Sequence, residues 1–248
     1  MVKVTNVVMC LSLLAGAARL SGASVSIGGN VVNGVVWVDD ALPSGAQPGA
    51  DGGDGWNWIS SNPTPYSGTL AHESSIENGL HEHYFTGATQ PLTINAGDTL
   101  FTAVYIDPAN VPSEIMLQWN DSTGSWAHRA YWGDYLITYG ANGSAGSYYM
   151  GPMPAAGQWT LLQVPASDVG LGGIGVDGMA FSEYNGRATW DFSGDATSIT
   201  NGSSSGTTTN PPSNTGTNST TGTGSGGSGS TSPVTISTNS IPGTTPID

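Results

Sequence analysis

Aromatic rings, imidazoles and a guanidinium recur in segments of the sequence that read as loops or strand ends. An exposed flat ring can stack on the apolar C–H face of a sugar, while imidazole, amide or charged groups hydrogen-bond its hydroxyls. This combination indicates a site for noncovalent sugar binding. The candidate ligand-binding residues are Trp56, Trp58, Tyr66, His81, His83, Trp126, Arg129 and Trp132, and His72 and Tyr131 lie in the same segments.

Core packing is the alternative for each tryptophan, because large apolar side chains are mostly buried in folded proteins. We expect three of them to lie in the core: Trp119, Trp159 and Trp190. The exposed platforms are expected among Trp56, Trp58 and Trp126.

Aspartates form oxygen-rich segments at three places in the chain. Asp39 and Asp40 end the first predicted strand, Asp51 and Asp54 lie in a glycine-rich loop, and Asp191 lies on the last strand. Such segments suit Ca²⁺, which takes six to eight oxygen ligands. Aspartate beside glycine is also a common turn former, so a purely local role is the alternative.

Two histidines could instead bind zinc. His81 and His83 are two residues apart on a predicted strand and therefore point to the same face, with Glu82 directed away. His72 or His128 could supply a third ligand. The alternative is that these imidazoles serve as hydrogen-bonding or stacking groups.

Glycoside hydrolysis would require two carboxylates across a cleft. Candidates exist, but no spacing in the sequence shows that any two face each other: Glu73, Glu77, Glu82, Glu114 and Glu183. The sequence has no Gly-x-Ser-x-Gly nucleophile elbow and no phosphate-binding loop, which argues against serine hydrolases and nucleotide binding.

The elements that position these residues are short strands. Apolar runs separated by Gly, Pro, Asn and Asp predict an all-β antiparallel sandwich, or jelly roll, over residues 24–195. Ile115, Leu117 and Trp119 should share one face of a strand, with Met116 and Gln118 on the other. Asn185-Gly186 predicts a tight hairpin. The predicted strands are 31–38, 81–85, 99–106, 114–119, 127–132, 159–164, 178–184 and 188–192.

Charge excludes one class of partner. The 248 residues include 4 Lys plus Arg against 18 Asp plus Glu. Nucleic acid binding needs clustered basic residues to neutralise phosphates, so we expect no nucleic acid partner.

The two ends of the chain indicate export and tethering. Residues 1–23 resemble a removable signal peptide that is too short in its apolar part to span a membrane, which predicts a secreted or cell-surface protein. The single cysteine, Cys10, lies inside this segment, so no disulfide is expected after cleavage. Residues 196–232 read as a flexible Ser/Thr/Gly-rich linker, and 233–248 as a disordered tail or the start of a further module.

Three stretches, residues 157–167, 178–181 and 186–191, resemble the C-terminal half of galactose-binding-like jelly rolls, a superfamily that includes many noncatalytic carbohydrate-binding modules. Trp56-Asn57-Trp58, residues 81–85, 96–101 and 107–110, and the segment 128–133 also look like a module of large secreted bacterial proteins. The resemblance implies a structural calcium where the first and last strands meet, held by Asp39 or Asp40 with Asp191.

Together these patterns predict an exported, noncatalytic module that binds an extracellular polysaccharide or glycan, joined through its linker to further domains. A structural or adhesive sandwich without a small ligand is the alternative from another class, and a glycoside hydrolase is the third.

Overall fold

The computed structural model describes residues 24–201, which form fourteen β-strands. In chain order they are β1 Ser24–Ile27, β2 Asn30–Val38, β3 Gln47–Asp51, β4 Asn57–Ile59, β5 Ala71–Glu73, β6 Glu77–Thr86, β7 Leu92–Thr93, β8 Thr99–Ile106, β9 Glu114–Asp121, β10 His128–Gly133, β11 Tyr148–Gly151, β12 Trp159–Pro165, β13 Gly175–Gly186 and β14 Ala188–Asn201. Across residues 24–201 no helix is long and apolar enough to cross a membrane.

The strands form two sheets of seven strands each. In the first sheet, β14 pairs with β8 along one side. Along its other side, the start of β14 pairs with β5 and the rest pairs with β2. At the edges, β12 pairs with β8, β4 with β5, and β1 with β2. The second sheet runs in the order β11, β10, β9, β13, β6, β3, and β7 pairs with the start of β13. Among the described strands only β10 and β11 pair in parallel. The predicted all-β sandwich is confirmed.

All eight predicted strands are present, and residues 99–106 match β8 at both ends. The additional strands are short or rich in Pro and Gly, as in β3, which contains Pro48 and Gly49, so their sequences lack clear apolar alternation. The last strand, β14, continues to Asn201, beyond the predicted end of the module at residue 195.

The predicted hairpin at Asn185-Gly186 was wrong. Both residues have the positive φ values expected of a tight turn, 61° and 72°. However, β13 belongs to the second sheet and β14 to the first, so the turn carries the chain between the sheets. Local sequence sets the turn geometry, but which strand becomes the partner depends on the other strands of each sheet.

The core lies between the two sheets and follows the predicted alternation. Ile115, Leu117 and Trp119 point into it together with Phe181 of β13. Trp190 of the first sheet meets the Phe181 ring of the second at a centroid distance of 5.4 Å. Trp119 and Trp190 are fully buried, as predicted.

The third tryptophan assigned to the core, Trp159, is only half-buried. It packs on the opposite face of the first sheet, with ring centroids 5.8 Å from Tyr66 and 5.8 Å from Tyr105. Residues 159 and 161 of β12 alternate with Leu162 and Val164, which face the main core. Trp159 therefore packs against a second, smaller hydrophobic cluster and not in the main core, because it lies on the outward face of its strand.

Two isoleucines give a direct test of this packing. Ile115 is fully buried and Ile76 is 53% exposed. We expect Ile115→Ala to lower the free energy of unfolding by about 2–5 kcal/mol, and Ile76→Ala to change it by less than about 0.5 kcal/mol. Urea denaturation followed by tryptophan fluorescence measures both. Equal losses in the two variants would contradict the described core.

Candidate functional site

A groove opens on the outer face of the second sheet, with a volume of about 290 Å³. We call it the sheet groove. On β6, His81, His83 and Phe85 point into the core, so the intervening side chains face outward into the groove. The lining residues are Asp51, Glu82, Tyr84, Thr86, Gln118, Trp126, Arg129, Tyr139 and Ala180.

The floor of the sheet groove is a row of residues across four strands. Strand register places Tyr84 opposite Ala180, Ala180 opposite Gln118, and Gln118 opposite Arg129. The small side chain of Ala180 stands in the middle of the row, which leaves space between the larger groups on either side. Sheet pairing therefore fixes the spacing of the polar and aromatic groups along the floor.

Hydrogen bonds hold the polar part of the floor in one arrangement. The Arg129 Nε donates to Gln118 Oε1 at 2.7 Å, and Gln118 Nε2 donates to Glu82 Oε2 and to Ser182 Oγ, both at 2.8 Å. The Ser182 hydroxyl also donates to Glu82 Oε2 at 2.7 Å. The Gln118 amide is thus fixed by partners on both its oxygen and its nitrogen, and the Glu82 carboxylate by two donors.

Arg129 is half-buried at one side of this network. Burial lowers the pKa of its guanidinium, while the nearby Tyr139 and Glu82 act in the opposite direction. Its Nη1 donates to the Gly146 carbonyl at 3.2 Å, and Nη2 makes no hydrogen bond to any residue of the described part of the chain. The guanidinium can therefore offer donors to a ligand without releasing Gln118.

Aromatic rings form the walls. Trp126, from the loop between β9 and β10, meets Tyr84 edge-to-face at a centroid distance of 6.2 Å. Its indole Nε1 lies 2.9 Å from the side-chain oxygen of Asn120 when that amide is oriented to suit its neighbours. The ring of Tyr139 lies 5.2 Å from the Arg129 guanidinium carbon, within cation–π range.

The loop that carries Tyr139 is anchored from below. Glu114 Oε2 accepts hydrogen bonds from the backbone N–H of Leu136 at 2.5 Å and of Ile137 at 2.7 Å. Burial raises the pKa of this carboxyl, although the two N–H donors oppose the shift. The buried carboxyl group fixes the start of the segment that brings Tyr139 to the groove.

The structure brings only two of the predicted ligand-binding residues to the sheet groove, Trp126 and Arg129. His81 and His83 are fully buried, and Trp132 is 6% exposed in the main core. These three assignments are corrected, since on β6 and β10 they occupy the inward positions that alternate with groove-facing residues. Tyr66 packs against Phe192, with ring centroids 5.9 Å apart, on the face of the first sheet that points away from the main core.

Trp56 and Trp58 are half-buried and also lie away from the groove. Their rings stack with centroids 5.9 Å apart and an interplanar angle of 19°. The ring centroids of Trp56 and His83 are 4.7 Å apart. The Trp56 Nε1 donates to the carbonyl oxygens of Gly49 and Tyr84, at 3.2 and 3.1 Å. The two indoles thus cover buried imidazoles and support β3 and β6 from the inside, rather than offering a platform in the groove.

Several groove residues were absent from the sequence prediction. The alternation of β6 gives a signal for Glu82, Tyr84 and Thr86, because they occupy the face opposite His81 and His83. Gln118 lies on the outward face of β9 that the alternation of that strand predicts. The other three groove residues come from a strand without alternation, from a neighbouring strand and from a long loop, so their position follows from the tertiary fold: Asp51, Ala180 and Tyr139.

A second polar group, which we call the inner cluster, lies between the sheets and consists of Asp54, His72, His81, His83 and Glu183. His72 Nδ1 lies 2.8 Å from His83 Nε2, and His83 Nδ1 lies 2.9 Å from Asp54 Oδ2. Burial raises the pKa of Glu183 well above its ordinary value and lowers that of His72 well below its own. Burial also opposes ionisation of Asp54, but the imidazoles of His81 and His83 hold its pKa below the usual range.

The predicted calcium ligands do not share one environment. Asp39 and Asp191 are close enough for the charge on Asp39 to raise the pKa of Asp191, and Asp39 Oδ1 is buried without a hydrogen-bond partner in the described chain. Asp40 is exposed, and its Oδ1 accepts from the backbone N–H of Thr69 and Leu70 at 2.7 and 2.8 Å. Asp39 therefore keeps one oxygen without a partner, whereas the oxygens of Asp40 are engaged with the 69–70 loop and those of Asp191 accept from the backbone N–H of Phe192 and Ser67, at 2.8 and 2.9 Å.

No protein-family model matches the sequence, and no curated protein matches it. Solved structures with a similar fold include a carbohydrate-binding module of the β-sandwich superfamily, with a TM-score of 0.41, 8% identity, and coverage of 64% of this chain and 61% of that chain. The Endo-D glycoside hydrolase domain from Streptococcus pneumoniae gives a TM-score of 0.39 and 10% identity, over 62% of this chain and 22% of the other. The CBM22-1 xylan-binding domain from Paenibacillus barcinonensis gives a TM-score of 0.36 and 12% identity, over 66% of this chain and 94% of the other.

The chain therefore spans less than two thirds of the length of the first two structures. The first and third of these structures are described as carbohydrate-binding modules with a β-sandwich fold or as a xylan-binding domain, and the similarity to this chain is one of fold.

The Asp39–Asp191 pair predicts a pH effect on stability. Burial raises the pKa of Asp191 to about 7, and the neighbouring Asp39 charge acts in the same direction. Because the folded state binds the proton more tightly than the unfolded state, this contribution is complete below about pH 4 and is lost as the pH rises through about 7. We expect Asp191→Asn to flatten this decline, measured as the free energy of unfolding in urea from about pH 5 to about pH 8.

Asp168→Asn, in the turn after β12, is the matched control and should keep the decline. If the stability of the wild-type protein does not fall over this interval, the pKa of Asp191 is not raised in the folded state.

Proposed function

We propose that the sheet groove binds a segment of an extracellular polysaccharide noncovalently. The observation that supports this most directly is the combination of half-exposed aromatic walls with a hydrogen-bonded polar floor on an open sheet face. Its volume of about 290 Å³ is near the lower limit of small-molecule pockets, about 300–1,000 Å³. A groove of this size holds a short stretch of a chain, not a large folded partner.

The chemistry of each wall matches one part of a sugar. The Trp126 and Tyr84 rings offer apolar surface for the C–H face of a pyranose. Arg129 offers donors to hydroxyl or ring oxygens, and Glu82 and Asp51 offer acceptors to hydroxyl protons. Because Gln118 and Glu82 are already held by the floor network, little side-chain entropy is lost when a ligand binds.

The charges in the groove favour a neutral glycan. Two carboxylates, Asp51 and Glu82, face one guanidinium, Arg129, and the chain as a whole has a formal net charge of −14. A polyanionic chain would meet like charges at the floor and at the surface around it. We therefore place uncharged hexose or pentose polymers ahead of uronate-rich or sulfated ones.

A noncatalytic role in an exported protein completes the proposal. Residues 1–23 would act as a signal peptide, and residues 202–232, the part of the predicted linker after β14, would tether the module to whatever follows. A weakly binding module gains effective concentration near its polymer through such a tether. Asp39 and Asp191 would hold a structural Ca²⁺ that neutralises their shared charge.

Removal of a wall ring tests the groove. We expect Trp126→Ala to weaken binding at least about tenfold, because it removes the exposed stacking surface. The matched control is Trp159→Ala, which removes a half-buried tryptophan from the outer face of the other sheet. The measurement is retention on insoluble polysaccharides and titration calorimetry with soluble oligosaccharides found by a glycan array.

Three outcomes separate the alternatives. Loss of binding in Trp126→Ala but not in Trp159→Ala supports the groove. Absence of binding to any glycan favours the structural or adhesive sandwich. Release of reducing sugar that disappears in Glu82→Gln would instead identify a hydrolase, since Asp51 and Glu82 stand opposite each other on β3 and β6.

Calcium gives a separate prediction. At about pH 8, where Asp39 and Asp191 both tend toward the charged form, we expect Ca²⁺ to raise the melting temperature of the wild-type protein. The gain should vanish in Asp191→Asn and persist in Asp168→Asn, as measured by thermal unfolding with Ca²⁺ or EDTA. An equal gain in all three proteins would place the ion elsewhere.

A further inference from the structure

Three ligand atoms of the inner cluster converge on one point between the sheets. His81 Nδ1 lies 3.6 Å from Asp54 Oδ2 and 3.7 Å from Glu183 Oε2, and the three atoms all lie within 4.8 Å of one another. Both measured separations are too long for hydrogen bonds. They are close to the separation of about 3.4 Å between neighbouring ligands of a tetrahedral ion with bonds of about 2.1 Å.

The same three atoms are buried, and two of them have no partner, while Asp54 Oδ2 lies 2.9 Å from His83 Nδ1. The side chains of Asp54, His81 and Glu183 are 0% exposed. His81 Nδ1 and Glu183 Oε2 have no hydrogen-bond partner among residues 24–201, nor does the other ring nitrogen of His81. Buried polar atoms are almost always satisfied, so convergent unsatisfied ones indicate that something binds between them.

Each ligand is held in place through its other atoms. Asp54 Oδ1 accepts from the backbone N–H of Gly55 and Ser75, both at 2.7 Å, and Glu183 Oε1 accepts from Trp190 Nε1 at 2.6 Å. Glu183 thus keeps Oε2 for the shared point, and Asp54 presents Oδ2, which also lies 2.9 Å from His83 Nδ1. Outer hydrogen bonds of this kind are what orients the ligands in metal sites.

Sheet register supplies two of the three ligands. His81 on β6 and Glu183 on β13 are directly opposite each other in the second sheet, on its core face. Asp54 comes from the loop between β3 and β4, and its fixed position depends on Ser75 after β5 of the first sheet. A group bound here would connect both sheets.

We propose that Asp54, His81 and Glu183 bind one buried divalent transition-metal ion, of which Zn²⁺ is the representative. A neutral imidazole with two carboxylates suits such ions, whereas Ca²⁺ prefers oxygen ligands alone. The ion compensates two buried carboxylates and joins the 52–56 loop to β6 and β13. This site is independent of the sheet groove, which lies on the opposite face of β6.

The ligand set differs from the one that the sequence suggested. His83 is bonded to Asp54 and His72, so it supports the site from outside rather than binding the ion. His128 lies elsewhere, with Nδ1 2.7 Å from the Val169 carbonyl and Nε2 3.3 Å from Asp121 Oδ2. Only His81 of the expected zinc ligands remains.

The test uses the full chain, stripped with EDTA and then titrated with Zn²⁺ by calorimetry, with the bound metal counted by mass spectrometry of the dialysed protein. Co²⁺ serves as a spectroscopic substitute, because its visible absorption reports nitrogen and oxygen ligation directly. We expect one ion per chain in the wild-type protein. His81→Ala and Glu183→Gln should each weaken binding at least about tenfold, whereas the matched histidine variant His128→Ala should bind as the wild type does.

Glu183→Gln keeps the size of the side chain and an oxygen for the Trp190 indole, so it gives the answer even where His81→Ala fails to fold. Circular dichroism of each variant separates loss of the ion from loss of the fold. Absence of stoichiometric binding in the folded wild-type protein overturns the proposal and leaves a cluster bridged by water. Binding that is unchanged in Glu183→Gln also overturns it.

Discussion

The two-residue period of β6 links the sheet groove to the inner cluster. One set of its side chains, His81, His83 and Phe85, enters the core, and the other set, Glu82, Tyr84 and Thr86, faces the groove. A shift of one residue in its pairing with β13 would exchange the two sets, placing imidazoles outside and a carboxylate among apolar rings. Burial of the core face therefore fixes the register, and the register in turn fixes the composition of the groove.

The sheet and the loops contribute differently to the candidate site. Paired strands provide a floor whose spacing is set by backbone hydrogen bonds, and Arg129, Gln118 and Glu82 extend this order into the side chains. Trp126 and Tyr139 arrive from loops, where the fold tolerates changes in length and composition. Such a division gives a rigid polar base with walls that can vary, which is suited to recognising a repetitive ligand.

The inner cluster shows how much a disulfide-free sandwich can tolerate in its interior. Polar groups are placed beside Trp56 and Phe181 although each must be desolvated on folding. Hydrogen bonds satisfy part of the cluster, through His72, His83 and the Asp54 oxygens. The rest depends on a bound group, so the most polar part of the core is also the part where stability and ligand binding are coupled.

Local patterns in the sequence determined eight of the strands and the two faces of β9, because alternation and turn residues act over a few positions. Of the candidate ligand-binding residues, Trp126 and Arg129 line the sheet groove. The local patterns did not determine on which side of the molecule a ring or imidazole would lie, and so His81, His83 and Trp132 were placed outside when they are inside. The meeting of Asp54 with His81 and Glu183, or of Tyr139 with Arg129, was decided by tertiary structure alone. Such contacts join residues from different strands and loops, and only the pairing of strands and the packing of sheets brings them together.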